Sequence, residues 1–109
     1  MVESTLLMRD ISASPHRFVL TGDFNALPHS SSIALITATE STLGTKDLTA
    51  GISRSAHGFG DPNLDKSCKI DYIFSNLPAN AEESYVVADD DSCGNYYSDH
   101  YALCAFVEI

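Results

Sequence analysis

Basic residues are scarce in this 109-residue chain: 6 Lys and Arg stand against 15 Asp and Glu, for a formal net charge of −9. A surface of that sign repels phosphate backbones unless a metal or a basic partner intervenes, so charge-driven nucleic-acid binding by the free chain is not favoured. Long hydrophobic runs are missing as well. No stretch approaches the roughly 18 consecutive apolar residues of a membrane-spanning helix, so no membrane span is expected. The opening residues, Met1-Val2-Glu3-Ser4-Thr5, have neither the basic start nor the apolar centre of a signal peptide. The expectation is a cytoplasmic chain, or one whose true N-terminus, and any secretion signal, lies upstream of Met1. Cysteine is sparse: Cys68, Cys93 and Cys104 make an odd count without C-x-x-C spacing. That excludes a disulfide framework or a zinc site as first reading and favours free, buried thiols.

What is present is an ordinary globular balance, 44% hydrophobic and 19% charged, in a length that suits one domain. The most informative stretch is Arg17-Phe18-Val19-Leu20-Thr21-Gly22-Asp23-Phe24-Asn25, a short apolar β-run that ends in glycine and two polar side chains. On an extended backbone Asp23 and Asn25 share one face while Phe24 points to the core. A carboxylate and a carboxamide at the carboxyl end of a strand suit a site in an α/β sheet. They equally suit a turn, with Asp23 and Asn25 as its polar residues.

Before that run, Val2, Leu6, Leu7 and Ile11 fall at i, i+4 spacings and predict a helix near 3–12. Ser14-Pro15 ends it. After Asn25, Ser30 or Ser31 caps a second helix near 31–40, whose Ile33, Leu35 and Ile36 face the sheet. From Thr37 to Lys69 no period holds, and a connection of that length is usually functional or mobile. Within it, His57-Gly58-Phe59-Gly60 sets an imidazole and an aromatic between glycines, which fits a ligand-facing loop or a plain turn anchored by Phe59. Lys69-Ile70-Asp71-Tyr72-Ile73-Phe74 is a strand with an acid inside it, where a buried Asp needs a partner and an outward-facing one does not. Tyr85-Val86-Val87-Ala88 predicts another strand, and Asp89-Asp90-Asp91 a solvated loop. Ser98-Asp99-His100 then leads into the apolar run 101–107, expected as a strand covered on both faces.

Asp23, Asn25, Asp71, Asp99 and His100 all fall at or beside strand ends. An imidazole that holds or transfers a proton needs an orienting carboxylate, and Asp71 is the candidate for His100. Asp23 can polarise a water, and Asp99 can bind a hard cation through oxygen. A carboxylate-and-imidazole set without thiolate argues for Mg²⁺ or Mn²⁺ over zinc.

Gly22-Asp23-Phe24-Asn25, then Lys69-Ile70-Asp71-Tyr72-Ile73-Phe74, then Ser98-Asp99-His100-Tyr101 follow the order seen in the endonuclease/exonuclease/phosphatase superfamily, the DNase I-like hydrolases, which the chain resembles over nearly its whole length. His57-Gly58-Phe59-Gly60 is similar to the loop before the second motif in a bacterial-type branch. The resemblance implies a metal-dependent hydrolase of phosphate esters (a nuclease, phosphodiesterase or phosphatase). In it Asp23 orients and deprotonates the attacking water, and Asn25 holds the phosphate or that water. Asp99 belongs to the metal and water network, His100 contacts the scissile phosphate, Asp71 fixes its ring, and His57 and Phe59 lie against substrate.

The resemblance also implies the fold: α/β (α+β), half of a four-layer α/β/β/α sandwich, one mostly antiparallel or mixed sheet with helices on one face. Domains of this superfamily are about twice as long, and their first half supplies the Glu that chiefly holds the metal. Residues 1–109 therefore read as a single partial domain, the C-terminal half. Its implied partners are a phosphate-ester substrate and either the complementary N-terminal half or a second copy, joined through the bare sheet. The alternative is a non-catalytic remnant or interaction module that keeps the half-fold.

Overall fold

The computed structural model describes residues 2–13, 17–57, 68–87 and 98–109. Ser14-Pro15, Gly58-Phe59-Gly60, Ala88, Asp89-Asp90-Asp91 and Cys93, named above, lie outside the described residues. Among those described, no helix is long and apolar enough to cross a membrane.

Helix α1, Val2–Ala13, precedes strand β1, Val19–Asp23. Two short helices follow, α2 (Ser31–Thr37) and α3 (Glu40–Leu43), then the two-residue strand β2 (Lys46–Asp47). Strand β3, Asp71–Ser75, is central: β1 pairs antiparallel on one side of it and β2 on the other. A single 3-10 turn, Ala81–Glu83, leads into β4 (Tyr85–Val87), and β5 is Ala102–Cys104.

The helices form where sequence places them, with one rotation. Ser30 is the N-cap of α2, its side chain accepting from the Ile33 N–H at 3.4 Å, and Ile33 and Ile36 are buried. The helix ends at Thr37, and α3 is closed by Gly44 at φ 75, a left-handed position that glycine takes without strain. In α1 the inward face is Ser4, Met8 and Ile11, while Leu6, expected inside, is 45% exposed. Both faces satisfy an i, i+4 period, and packing on α2 and the sheet selects the one carrying Met8.

The core lies on one face of the β1–β3 pair. Met8 of α1, Ile33 and Ile36 of α2, and Tyr72 and Phe74 of β3 are its buried centre, with Leu20, Phe24 and Leu43 against it. Phe24 stands edge-on to both rings, 5.7 Å from Tyr72 and 5.6 Å from Phe74. The helices thus cover one face, and the α+β architecture with antiparallel pairing matches half of such a sandwich.

Two expectations are corrected. The four strands do not form one sheet: β4 and β5 pair with each other, Tyr85 opposite Cys104 and Val87 opposite Ala102. Nor is the 101–107 run covered on both faces. It is a strand only over 102–104, Ala102 is exposed and Phe106 is 57% exposed. An all-apolar run resembles a two-faced buried strand, but coverage is decided by what packs on it. β2 was not anticipated, since two residues hold no readable period.

Candidate functional site

Asp23 ends β1 and Asp71 begins β3, and the ladder places them opposite one another. Like charges directly across a strand pair repel. His100 answers this pair. Its Nδ1–H donates to Asp71 Oδ2 at 2.7 Å, and its Nε2 lies 3.9 Å from Asp23 Oδ2 and 3.8 Å from Asp99 Oδ1. Because a carboxylate only accepts, the short contact puts a proton on Nδ1 and turns Nε2 toward Asp23 and Asp99. The hydrogen bond to Asp71 raises the His100 pKa above 6.5; burial opposes it, and the charges of Asp71, Asp99 and Asp23 add to the rise.

Each member is held by its own backbone. The strand ends at Asp23, and Asn25 takes a left-handed φ of 48, which Asn tolerates better than most residues. Its N–H donates to Asp23 Oδ1 at 2.8 Å, closing a turn over the carboxylate. Asn25 and Asp23 therefore do not share a face of an extended strand, and the turn reading describes the local geometry. Asn25 is exposed, and its backbone is what fixes Asp23. The following loop is anchored from below: the Tyr72 hydroxyl donates to the Ala26 carbonyl at 2.7 Å, and the Phe24 N–H to the Ile70 carbonyl at 2.8 Å.

His100 is placed by the segment 55–57. Ala56 and His100 form an antiparallel bridge, the His57 N–H donates to the Asp99 carbonyl at 2.9 Å, and the Tyr101 N–H to the Ser55 carbonyl at 2.8 Å. His57 itself is 1% exposed, its ring 4.5 Å from that of Tyr101. It packs behind the His100 strand.

An open cleft of about 310 Å³ adjoins the acids, lined by Thr21, Asp23, Asp71, Ile73, Tyr101 and Leu103 among others. It lies on the sheet face opposite the helices, so the core and the site divide β3 between them. Tyr72 and Phe74 go to the core and Asp71 and Ile73 to the cleft, with Tyr72 also reaching the cleft wall.

Ligand atoms of Asp23, Asp71 and His100 lie within 4.8 Å of one another, the one such group among the described residues. Asp99, expected as the metal residue, is outside that group, though its carboxylate approaches the same imidazole nitrogen. The set fits a hard divalent cation in donor type and charge. Asp71 Oδ2 accepts from His100 and Asp23 Oδ1 from the turn, which leaves Asp23 Oδ2, Asp71 Oδ1 and the Asp99 carboxylate as oxygen donors. Three carboxylates around one imidazole also leave negative charge for a cation to neutralise.

Sequence reading passed over three supports. Lys69 is buried, donates from Nζ to the Thr49 carbonyl, lies 3.7 Å from Asp47 Oδ2, and covers the Tyr72 ring at 4.7 Å. Burial lowers its pKa, against the charge of Asp47. Ser55 and Thr49 are fully buried hydroxyls beside β3. Only the unusual position of a Lys at the head of an apolar strand hinted at the first; nothing in the sequence marked the other two.

No family model and no curated protein matches the sequence. Among solved structures, the endonuclease/exonuclease/phosphatase from Bacteroides vulgatus is similar to it, with 25% identity and a TM-score of 0.73 over 96% of this chain. The match spans 42% of that protein's length. With three motifs in order and two of them meeting at one imidazole, the chain has the fold of part of an endonuclease/exonuclease/phosphatase superfamily protein, consistent with the C-terminal half of that domain.

Proposed function

We propose that this chain supplies the Asp23–Asp71–His100 portion of the active site of a metal-dependent phosphoric ester hydrolase. The observation that carries the reading is the imidazole held at 2.7 Å by Asp71 and turned toward Asp23, in a chain whose fold is that of a hydrolase superfamily. Asp71 keeps the ring oriented and favours its charged form. Nε2–H is then a donor for a phosphoryl oxygen in the cleft, where it offsets charge that develops as the ester is attacked. Asp23, its rotamer set by the Asn25 N–H, takes the proton of the attacking water. Asp23 and Asp99 are the residues that would hold Mg²⁺ or Mn²⁺. When bound, the ion would supply charge neutralisation at the phosphate and leaving oxygen.

The match to under half of its relative supports a site completed by residues outside these 109, in a complementary segment. With two carboxylates as donors, a hard ion would keep most of its waters and be held weakly. Misplacement by about 1 Å costs on the order of 10² in rate, so negligible hydrolysis is expected from the chain alone. The test compares the chain, and the chain with the preceding segment of such a domain added, on a generic phosphodiester and a phosphomonoester, with and without EDTA. Metal-dependent turnover only in the reconstituted pair, abolished by His100→Ala, supports the reading. Turnover that survives His100→Ala sinks it.

The second reading is a non-catalytic module, favoured by apolar Ile73 and Leu103 lining an open cleft. It predicts binding of the complementary segment with no turnover under any metal.

A further inference from the structure

Among the described residues, the Asp71 end of β3 has no strand on the side away from β1. The two-residue strand β2 reaches only Phe74 and Ser75. The amides of Ile70 and Asp71, both half-buried residues, need partners there, and such donors are nearly always satisfied in native folds. One atom receives both. Ser55 Oγ accepts the Ile70 N–H at 2.9 Å and the Asp71 N–H at 3.1 Å. The same residue also engages the other member of the pair, since its carbonyl accepts the Tyr101 N–H, next in chain to His100. Its own N–H donates to the Cys68 carbonyl at 3.0 Å, and it is completely buried.

We infer that Ser55 is a positioning residue of the Asp71–His100 pair: its hydroxyl holds the carboxylate strand and its backbone carbonyl the imidazole strand. The inference rests on the hydrolase reading for its functional meaning, but its geometry stands apart from it. A 2.7 Å contact tolerates little displacement of either strand, and Asp71 and His100 are far apart in the chain. β1 and the 56–57 backbone hold the two strands separately, and Ser55, a buried residue bonded to both sides, ties one to the other. A hydroxyl suits the place because one compact oxygen accepts from two neighbouring amides. Ser75 serves as the internal comparison. It is equally buried at the far end of β3, donates from Oγ to the Phe18 carbonyl at 2.6 Å and accepts from the Leu77 N–H at 3.0 Å. It touches neither Asp71 nor His100.

The test is NMR on the metal-free 109-residue chain, which makes no use of hydrolysis. In the parent protein the His100 Nδ1–H should give a downfield, slowly exchanging proton signal, and the Asp71 amide should be protected from exchange. Ser55→Ala should broaden or shift the Nδ1–H signal and speed Asp71 amide exchange at least about tenfold. Ser75→Ala should leave both unchanged, whatever it does to the melting temperature. Where Ser55→Ala does not fold, Ser55→Cys is read in its place, since the slightly larger sulfur leaves no void but accepts weakly. An unaltered imidazole signal in the folded Ser55 variant overturns the assignment, and so does an equal change in Ser75→Ala. Loss of the signature with no turnover in the reconstituted pair would retain Ser55 as positioning residue and remove only the hydrolase reading.

Discussion

Asp23 and Asp71 face each other across the β1–β3 ladder, and the imidazole of His100 reaches both carboxylates, one through each ring nitrogen. Apposed acids cost stability unless a cation lies between them. The same apposition makes the charge state of this group a matter of folding stability.

Asp71→Asn should return the His100 pKa toward 6.5, because its largest upward influence is the hydrogen bond to that carboxylate. The raised folded-state value means that the pair contributes its full stabilisation below pH 6.5. The contribution falls away as pH rises through the folded pKa. Titrating the imidazole by NMR, with denaturant melts on either side of that window, checks both parts. A pH dependence of stability that Asp71→Asn leaves intact would contradict the assignment.

Asp23→Asn keeps an oxygen for the Asn25 N–H while it removes one of the facing charges. Stability should hold within about 0.5 kcal/mol or improve, yet Mn²⁺ affinity, followed by calorimetry, should drop. Asp23→Ala loses the turn bond too and should cost about 1 kcal/mol more. Equal metal affinity in all three proteins would remove Asp23 from the ligand set.

Tyr72→Phe deletes the hydroxyl that donates to Ala26 and so loosens the loop beyond Asp23. A cost of about 1 kcal/mol is expected, with faster amide exchange between 24 and 27. Phe74→Ala, in the centre of the core, should cost about 3–5 kcal/mol and leave the chain largely unfolded. Val19→Ala, at a position 49% exposed on the neighbouring strand, should stay within about 0.5 kcal/mol. Thermal melts of the three variants give the ranking.

Lys69→Met leaves Asp47 beside a buried face without its cation. Breaking such a pair costs on the order of 3 kcal/mol, whereas replacing both partners by apolar residues costs far less. Chemical denaturation of Lys69→Met and of Lys69→Met with Asp47→Leu separates the two. Here the Asp47 bonds to the Thr49 N–H and hydroxyl, at 2.9 and 2.8 Å, are also lost in the double variant and should keep it below the parent.

The elements around Asp23 and Asp71 were legible in the residues themselves, because a β-run ending in Gly22-Asp23 and an acid inside an apolar strand are local patterns. So was the cap at Ser30 and the pair of buried isoleucines that follows it. Asp71 as the orienting partner of His100 was legible too, since an imidazole in that setting needs a carboxylate. The 2.7 Å contact and the register that sets Asp23 against Asp71 came only with folding, as they join segments far apart in the chain. Coverage depended on tertiary packing as well. An apolar stretch such as 101–107 carries no record of what lies on it, and it paired with 85–87 at a half-exposed edge. His57 stood out in sequence for its imidazole, and its burial against Tyr101 came only with folding. Ser55 and Thr49 were invisible for the opposite reason. A serine's chemistry is common to every loop, and only the neighbours it meets after folding give its oxygen two amides to hold.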